Sequence, residues 1–193
     1  MNHKLTELIF LLDRSGSMAG LESDTIGGFN SLVARQCRSG ETRLTAVLFD
    51  DEYEVLWSGA DAKGVQLTDR EYYVRGCTAM LDAIGKTILD AGRRLSQTPE
   101  AARPGKVMFV ITTDGLENVS REFTHEKVSQ MIQHQQEKYG WEFIFLGANM
   151  DAVREAESIG IQAEDAYAWE ASEKGVAEMY GMLEEELSVR RKK

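Results

Sequence analysis

The segment LLDRSGSMAG, residues 11–20, sets Asp13, Ser15 and Ser17 at i, i+2 and i+4 directly after an apolar run. Two other segments hold the same kind of donor: Thr78 closes RGCT, residues 75–78, and Asp114 lies in TTDG, residues 112–115. Together these side chains offer two carboxylates and three hydroxyls, with no thiolate and no imidazole. Such an oxygen-only set suits Mg²⁺, Mn²⁺ or Ca²⁺ and disfavours zinc and copper. Mg²⁺ keeps several waters in a near-octahedral shell, so a site with few protein ligands leaves a position open. Neutral hydroxyls also leave much of the ion's charge uncompensated, which an incoming carboxylate would answer.

For these segments to meet, the chain between them must fold back repeatedly, and its patterning says how. Leu5–Leu12 reads as a strand, nearly continuously apolar at its end as a strand covered on both faces should be. A helix over Asp24–Cys37 follows, with Ile26, Phe29, Leu32 and Val33 at helical spacing. The runs LTAVLF and EYEVLW flank Asp50-Asp51 closely enough to pair as a hairpin, predicting one antiparallel strand at an edge. A polar connection, residues 58–76, leads to a helix over about Thr78–Ser96, stopped by a loop between Pro99 and Pro104.

KVMFVITT, Lys106–Thr113, is the clearest central strand, and a helix over about Thr124–Tyr139 is closed by Gly140. WEFIFLGA, residues 141–148, is the next buried strand. A short helix over Asp151–Ile159, a weak strand near Ile161–Tyr167 and a last helix over about Ala171–Arg190 complete the chain. No internal repeat, low-complexity tract or domain-sized linker interrupts residues 1–193, so a single domain is expected.

Strands alternating with helices imply right-handed crossovers, a mostly parallel sheet of about six strands and helices on both faces, a doubly wound α/β architecture. Ligands of such sheets bind at the carboxyl ends of the strands, where strand order reverses. Asp13 and Asp114 each follow a strand at that end, and Thr78 starts a helix on the same edge. Asp13, Ser15, Ser17, Thr78 and Asp114 are therefore expected at one spot.

DRSGS, RGCT and TTDG, in this order and spacing, resemble the metal-ion-dependent adhesion site (MIDAS) of von Willebrand factor A (vWA) domains. The resemblance runs from Leu5 to the final helix. It implies a mainly parallel, Rossmann-like sheet with one antiparallel edge strand. It also implies one divalent ion held by Asp13, Ser15, Ser17, Thr78 and Asp114, with Asp114 direct or through water. By that resemblance the ion binds an Asp or Glu of a partner protein, and the chain is an interaction module, not an enzyme. Phrases such as ESDTIGGFNS and RGCTAMLDAIGKTI are similar to stand-alone bacterial or phage cytoplasmic vWA proteins.

Composition bounds the alternatives. Hydrophobic residues are 42% and charged residues 28% of 193, as in a folded soluble chain. Net charge of −10 argues against binding phosphate backbones, so nucleic acid is excluded as a first reading. The chain reads as one without a secretion signal or membrane span, and Cys37 and Cys77 read as reduced thiols, so a cytoplasmic location is expected. A monomer or weak homodimer is expected.

The enzyme alternative is a Mg²⁺-dependent hydrolase or phosphatase using Asp13. It needs a second carboxylate two residues later, where Ser15 stands. A serine hydrolase lacks both a G-x-S-x-G elbow and a histidine in the motif loops. Nucleotide binding lacks a Walker or G-x-G-x-x-G loop.

Several residues have plainer readings. Thr78 on its own reads as a helix N-cap. Arg14 reads as a solvated loop arginine, with a clamp on a partner carboxylate as the alternative. Asp50 and Asp51 read as turn residues on the site's edge, and Cys77 as a small buried packing residue. His3, His125 and His134 default to the surface, and Trp57, Trp141 and Trp169 to core or core edge. Val176, Met179, Leu183 and Leu187 form a stripe packed on the sheet, and RRKK, residues 190–193, reads as a dipole-complementing or frayed tail.

Overall fold

A computed structural model describes residues 1–114, 116–117, 119–148 and 151–193. Among the described residues six strands form one sheet: β1 (Asn2–Asp13), β2 (Glu41–Phe49), β3 (Tyr53–Asp61), β4 (Pro104–Thr113), β5 (Glu142–Ala148) and β6 (Ala166–Trp169). Their order is β3-β2-β1-β4-β5-β6. Every pairing is parallel except β2 with β3, which closes the edge as the hairpin expected from the sequence. The helices are α1 (Glu22–Ser39), α2 (Met80–Gln97), α3 (His125–Tyr139), α4 (Ala152–Ser158) and α5 (Glu173–Arg191).

β1 shows why the alternation of strand residues yields two cores. Leu8, Phe10 and Leu12 enter the layer beneath α1 and α5, whereas Ile9 and Leu11 enter the layer beneath α2, α3 and α4. Both sets are 1% exposed or less, so a nearly unbroken apolar run is what this position demands. On the first face Phe29 of α1 meets Phe10 edge-on, with centroids 5.3 Å apart. α5 lies against α1 so closely that a Cβ on Gly28 would fall 2.4 Å from the Tyr180 ring. The stripe Val176, Met179, Leu183 and Leu187 is buried there. On the second face Phe109 stacks with Trp141 and meets the Phe143 ring at a tilt. Trp169 is also buried, and Trp57 stacks on Phe29, so the three tryptophans lie in the core or at its edge.

Some boundaries differ from the sequence expectation. β6 spans Ala166–Trp169; Ile161 is buried but belongs to the turn before it, because its N–H bonds back to the Ala156 carbonyl at the end of α4. The α2 cap position is Ala79, with no side-chain cap bond, so Thr78 precedes the helix and is not its N-cap. The tail is not frayed at its start. Arg190 reaches Glu186, Glu142 and Asp165, and Arg191 reaches Gln36 and Thr42. No described helix is long and apolar enough to cross a membrane.

The order of strands reverses beside β1: α1 carries the chain to β2 on one side, and α2 carries it from β3 to β4 on the other. The carboxyl ends of β1 and β4 therefore bracket the switch point, where the crevice of a doubly wound sheet forms.

Candidate metal centre

β1 ends at Asp13, which is 2% exposed, and the chain turns at once into a short 3₁₀ turn, Gly16–Met18. The Asp13 carboxylate makes that turn: Oδ1 accepts the Ser15 N–H at 2.7 Å, an Asx-type closure. Oδ2 accepts the Thr113 hydroxyl at 2.7 Å and the Asp114 N–H at 3.4 Å. One carboxylate thus ties the end of β1 to the end of β4. The Asp13 carbonyl in turn accepts the hydroxyl of buried Tyr72 at 2.7 Å.

From this anchor the donor oxygens line up. Ser15 Oγ lies 2.9 Å from Ser17 Oγ, and the Ser17 hydroxyl donates to Asp114 Oδ1 at 2.6 Å. Cis oxygens around Mg²⁺ at 2.0–2.1 Å are about 2.9 Å apart, so Ser15 and Ser17 hold the spacing of two adjacent ligands. Ser15 is buried, Asp114 half-buried and Ser17 exposed, which opens the arrangement to solvent on the Ser17 side.

The RGCT loop is fastened to the same turn through its main chain. Gly16 N–H donates to the Gly76 carbonyl at 3.1 Å, and Arg75 N–H to the Arg14 carbonyl at 2.8 Å. Ala79 N–H donates to the Asp50 carbonyl at 2.8 Å. Thr78, between these bonds, is 3% exposed. Gly76 has φ +61°, and a Cβ there would lie 2.0 Å from Asp51 Oδ1 and 2.8 Å from Asp50 Oδ2. Only glycine lets the loop sit this close to the β2–β3 turn.

Electrostatics favour a cation. Burial pushes the Asp13 carboxyl above its ordinary range, against the opposing bonds from Ser15, Thr113 and Asp114. Burial does the same to Asp114, opposed by the Ser17 bond and reinforced by the charge of Asp13. Among the described residues both acids are held by hydroxyls and N–H groups, not by a lysine or arginine, so the pair presents negative charge without a fixed counter-ion there. The donor set fits a hard divalent ion on chemistry and spacing. Among the described residues no group of three or more His, Cys, Asp or Glu is placed to hold a metal, so a centre here depends on its hydroxyls.

Arg14 and Cys77 depart from their sequence readings. Arg14 is not solvated: it is fully buried, with Nη1 2.8 Å from Glu54 and its guanidinium over the Tyr73 ring. Cys77 is exposed, because its N–H, not its side chain, faces the protein, at 3.3 Å from Asp51 Oδ1. Asp50 is a turn residue as expected, its Oδ1 accepting Glu52 N–H at 2.8 Å, but it also pairs with Arg75. The three histidines are exposed.

Sequence reasoning missed three contributors. Thr113 was legible in principle, since two threonines end an otherwise apolar strand. Asp82 and Glu117 were not. Glu117 accepts the N–H groups of Leu81 and Ser120 at 2.9 and 2.6 Å, and Asp82 gathers those of Arg121, Glu122 and Phe123 at 2.9 Å each. These bonds lash the loop after Asp114 to the helix after Thr78.

A doubly wound sheet with an antiparallel edge carries three oxygen-rich loops at its switch point. The von Willebrand factor type A domain family matches residues 7–179, and the chain belongs to that family. No curated protein sequence matches the chain. Among solved structures it is similar to proximal thread matrix protein 1 from the mussel byssus, in a form with a zinc-occupied MIDAS motif. There the identity is 16% and the TM-score 0.67, over 97% of this chain and 47% of that one. It is similar to the ArnB paralog VWA2 from Sulfolobus acidocaldarius, at 17% identity and TM-score 0.57, over 96% and 45% of the two chains. A mutant of the PilB minor pilin from Streptococcus sanguinis gives 11% and 0.65, over 97% and 62%. The chain spans about half the length of the first of these structures.

Proposed function

We propose that the chain is a metal-dependent protein-interaction module. Asp13, Ser15, Ser17 and Thr78 would hold a divalent cation, with Asp114 joining directly or through water. The bound ion would supply a Lewis-acidic contact for an Asp or Glu carboxylate of a partner. The observation carrying this reading is the Ser15–Ser17–Asp114 run of oxygens, at 2.9 and 2.6 Å, on an acidic pair lacking a fixed counter-ion.

The chain's own residues do the rest. Thr113 and the Ser15 N–H orient Asp13; the Gly16–Gly76 bond sets the RGCT loop beside it. Tyr73 and Leu116, 46% and 60% exposed, offer apolar surface on the flanking loops. Charges farther than a Debye length of about 8 Å are largely screened, so the net −10 does not repel an acidic group at contact.

We propose a non-catalytic role: the Ser15 and Ser17 hydroxyls meet each other and Asp114, whereas His125 pairs with Glu155 at 3.8 Å and His134 packs on Tyr139. Cys37 and Cys77 are free thiols, in keeping with a reducing cytoplasm and with a chain acting as a monomer or weak homodimer. Mg²⁺ is the ion the hard donors favour. The zinc in the mussel protein's site puts zinc in the panel to be tried.

Calorimetry with Mg²⁺, Mn²⁺, Ca²⁺ and Zn²⁺ tests the ion. Saturable heat in the wild type and none in Asp13→Ala is expected; equal heats in both would overturn the reading. A pull-down with metal against one with chelator tests the partner, and a phosphatase and esterase screen tests the enzyme alternative.

A further inference from the structure

We propose that the groove between α2 and α3 binds an anionic amphiphile, an alkyl carboxylate, at a site separate from the metal centre. The groove encloses about 590 Å³ and reaches Gly105 at the start of β4 and Trp141 just before β5. It therefore opens at the amino ends of the strands, opposite the metal centre.

Its floor is apolar: Ile88, Val107, Met131 and Trp141 line it and are each 9% exposed or less. Its rim exposes Leu89 and Tyr139, at 51% and 57%. The groove exists because Gly92 leaves a gap on α2. A Cβ there would meet nothing nearer than Gln135 Nε2 at 4.0 Å.

The charge of the rim is opposite to that of the chain. Arg93, Arg103 and Lys127 line it, and no Asp or Glu does among the described lining residues. Arg103 donates through Nε and Nη2 to the carbonyls of Thr98 and Ser96 at 2.8 and 3.1 Å, neutral acceptors that fix the guanidinium and leave its charge. Nearby acids are turned to other partners: Asp90 accepts from Tyr53, Glu122 pairs with Lys86, and Glu137 accepts from Gln133. A cationic rim over an apolar floor, within a −10 chain, selects a ligand with one acidic head and a hydrocarbon tail.

The groove's volume lies within the roughly 300–1,000 Å³ usual for small-ligand pockets.

The test titrates the full chain with decanoate below its micelle concentration, following backbone amide and tryptophan side-chain NMR signals. Saturable shifts confined to α2, α3 and Trp141 are expected, unchanged by Mg²⁺ or by Asp13→Ala. Gly92→Leu, which fills the gap, and Arg93→Glu with Lys127→Glu, which reverses the rim, should each weaken binding by about tenfold or more. Absence of saturation, equal binding of neutral decyl maltoside, or wild-type affinity in the charge-reversed variant would overturn the proposal. So would unweakened binding to Gly92→Leu carrying an otherwise native spectrum.

Discussion

Asp82 in the first turn of α2 holds Phe123 in the loop before α3: the Asp82 carboxylate accepts the Phe123 N–H at 2.9 Å, and the Phe123 ring lies against Gly85, one turn along the helix. Ser120 returns the contact by accepting the Asp82 N–H at 3.0 Å. The loop that leaves Asp114 is thus seated on the helix that follows Thr78. Asp82→Ala frees three N–H groups at once. Because hydrogen bonds to a charged group contribute about 1.5–3 kcal/mol, a loss of about 2 kcal/mol in urea unfolding is expected. Weaker metal binding by calorimetry should accompany it.

Thr113 orients Asp13 without being a candidate ligand. Thr113→Val keeps the shape and removes the bond to Oδ2. Loss of such outer contacts lowers metal affinity by about 10–100-fold. Calorimetry on this variant should show that weakening with the unfolding midpoint little changed. An unaltered affinity would show that the hydroxyl does not position the carboxylate.

Replacing Asp13 by Asn tests the charge itself. Burial raises the Asp13 carboxyl, so its ionised form costs stability whenever no cation is bound. Asp13→Asn is expected to unfold at higher urea than the wild type in chelator, and to lose any stabilisation by added metal. Lower stability of the variant in chelator would contradict the electrostatic account.

Gly76→Ala combines a positive φ with a contact on Asp51 and Asp50. The left-handed backbone alone costs a residue with a Cβ about 1–2 kcal/mol, and the displaced loop carries Thr78. Urea unfolding should show at least that loss, and metal affinity should fall with it.

Tyr53 supplies the clearest pH signature. Burial is the main cause raising its phenol to about 12, opposed by the Thr87 bond and reinforced by Asp90. An unfolded tyrosine ionises near 10, so folding favours the protonated form. The stability this gives is complete below pH 10 and is lost as pH rises from 10 towards 12. Tyr53→Phe should flatten the alkaline decline in a series of urea melts across that range.

The fold was legible where a residue's surroundings are set by its own neighbours in sequence. β1 and β4 are apolar runs because both faces are covered, and Thr124 and Gly140 cap α3 as local chemistry requires. Asp13, Ser15, Ser17 and Asp114 were legible for the same reason, since each follows or ends a strand. What escaped depends on distant segments. Arg14 reads as solvated until Glu54 and Tyr73 arrive from the hairpin and the connection beyond it. Glu7 looks out of place in an apolar strand until Arg94 of α2 and Thr45 of β2 meet it in the interior. No spacing rule encodes such meetings.

β1 is flanked on both sides, by β2 and β4, so Asp13 rides on a strand braced along both edges. The loop carrying Thr78 is fastened at Arg75, Gly76, Cys77 and Ala79, whereas Ser17 sits in a turn open to solvent. The centre therefore has a bolted jaw and an adjustable one. Under the proposed reading, adaptation to ions of different radius would come from the adjustable side, with Asp13 as its fixed reference.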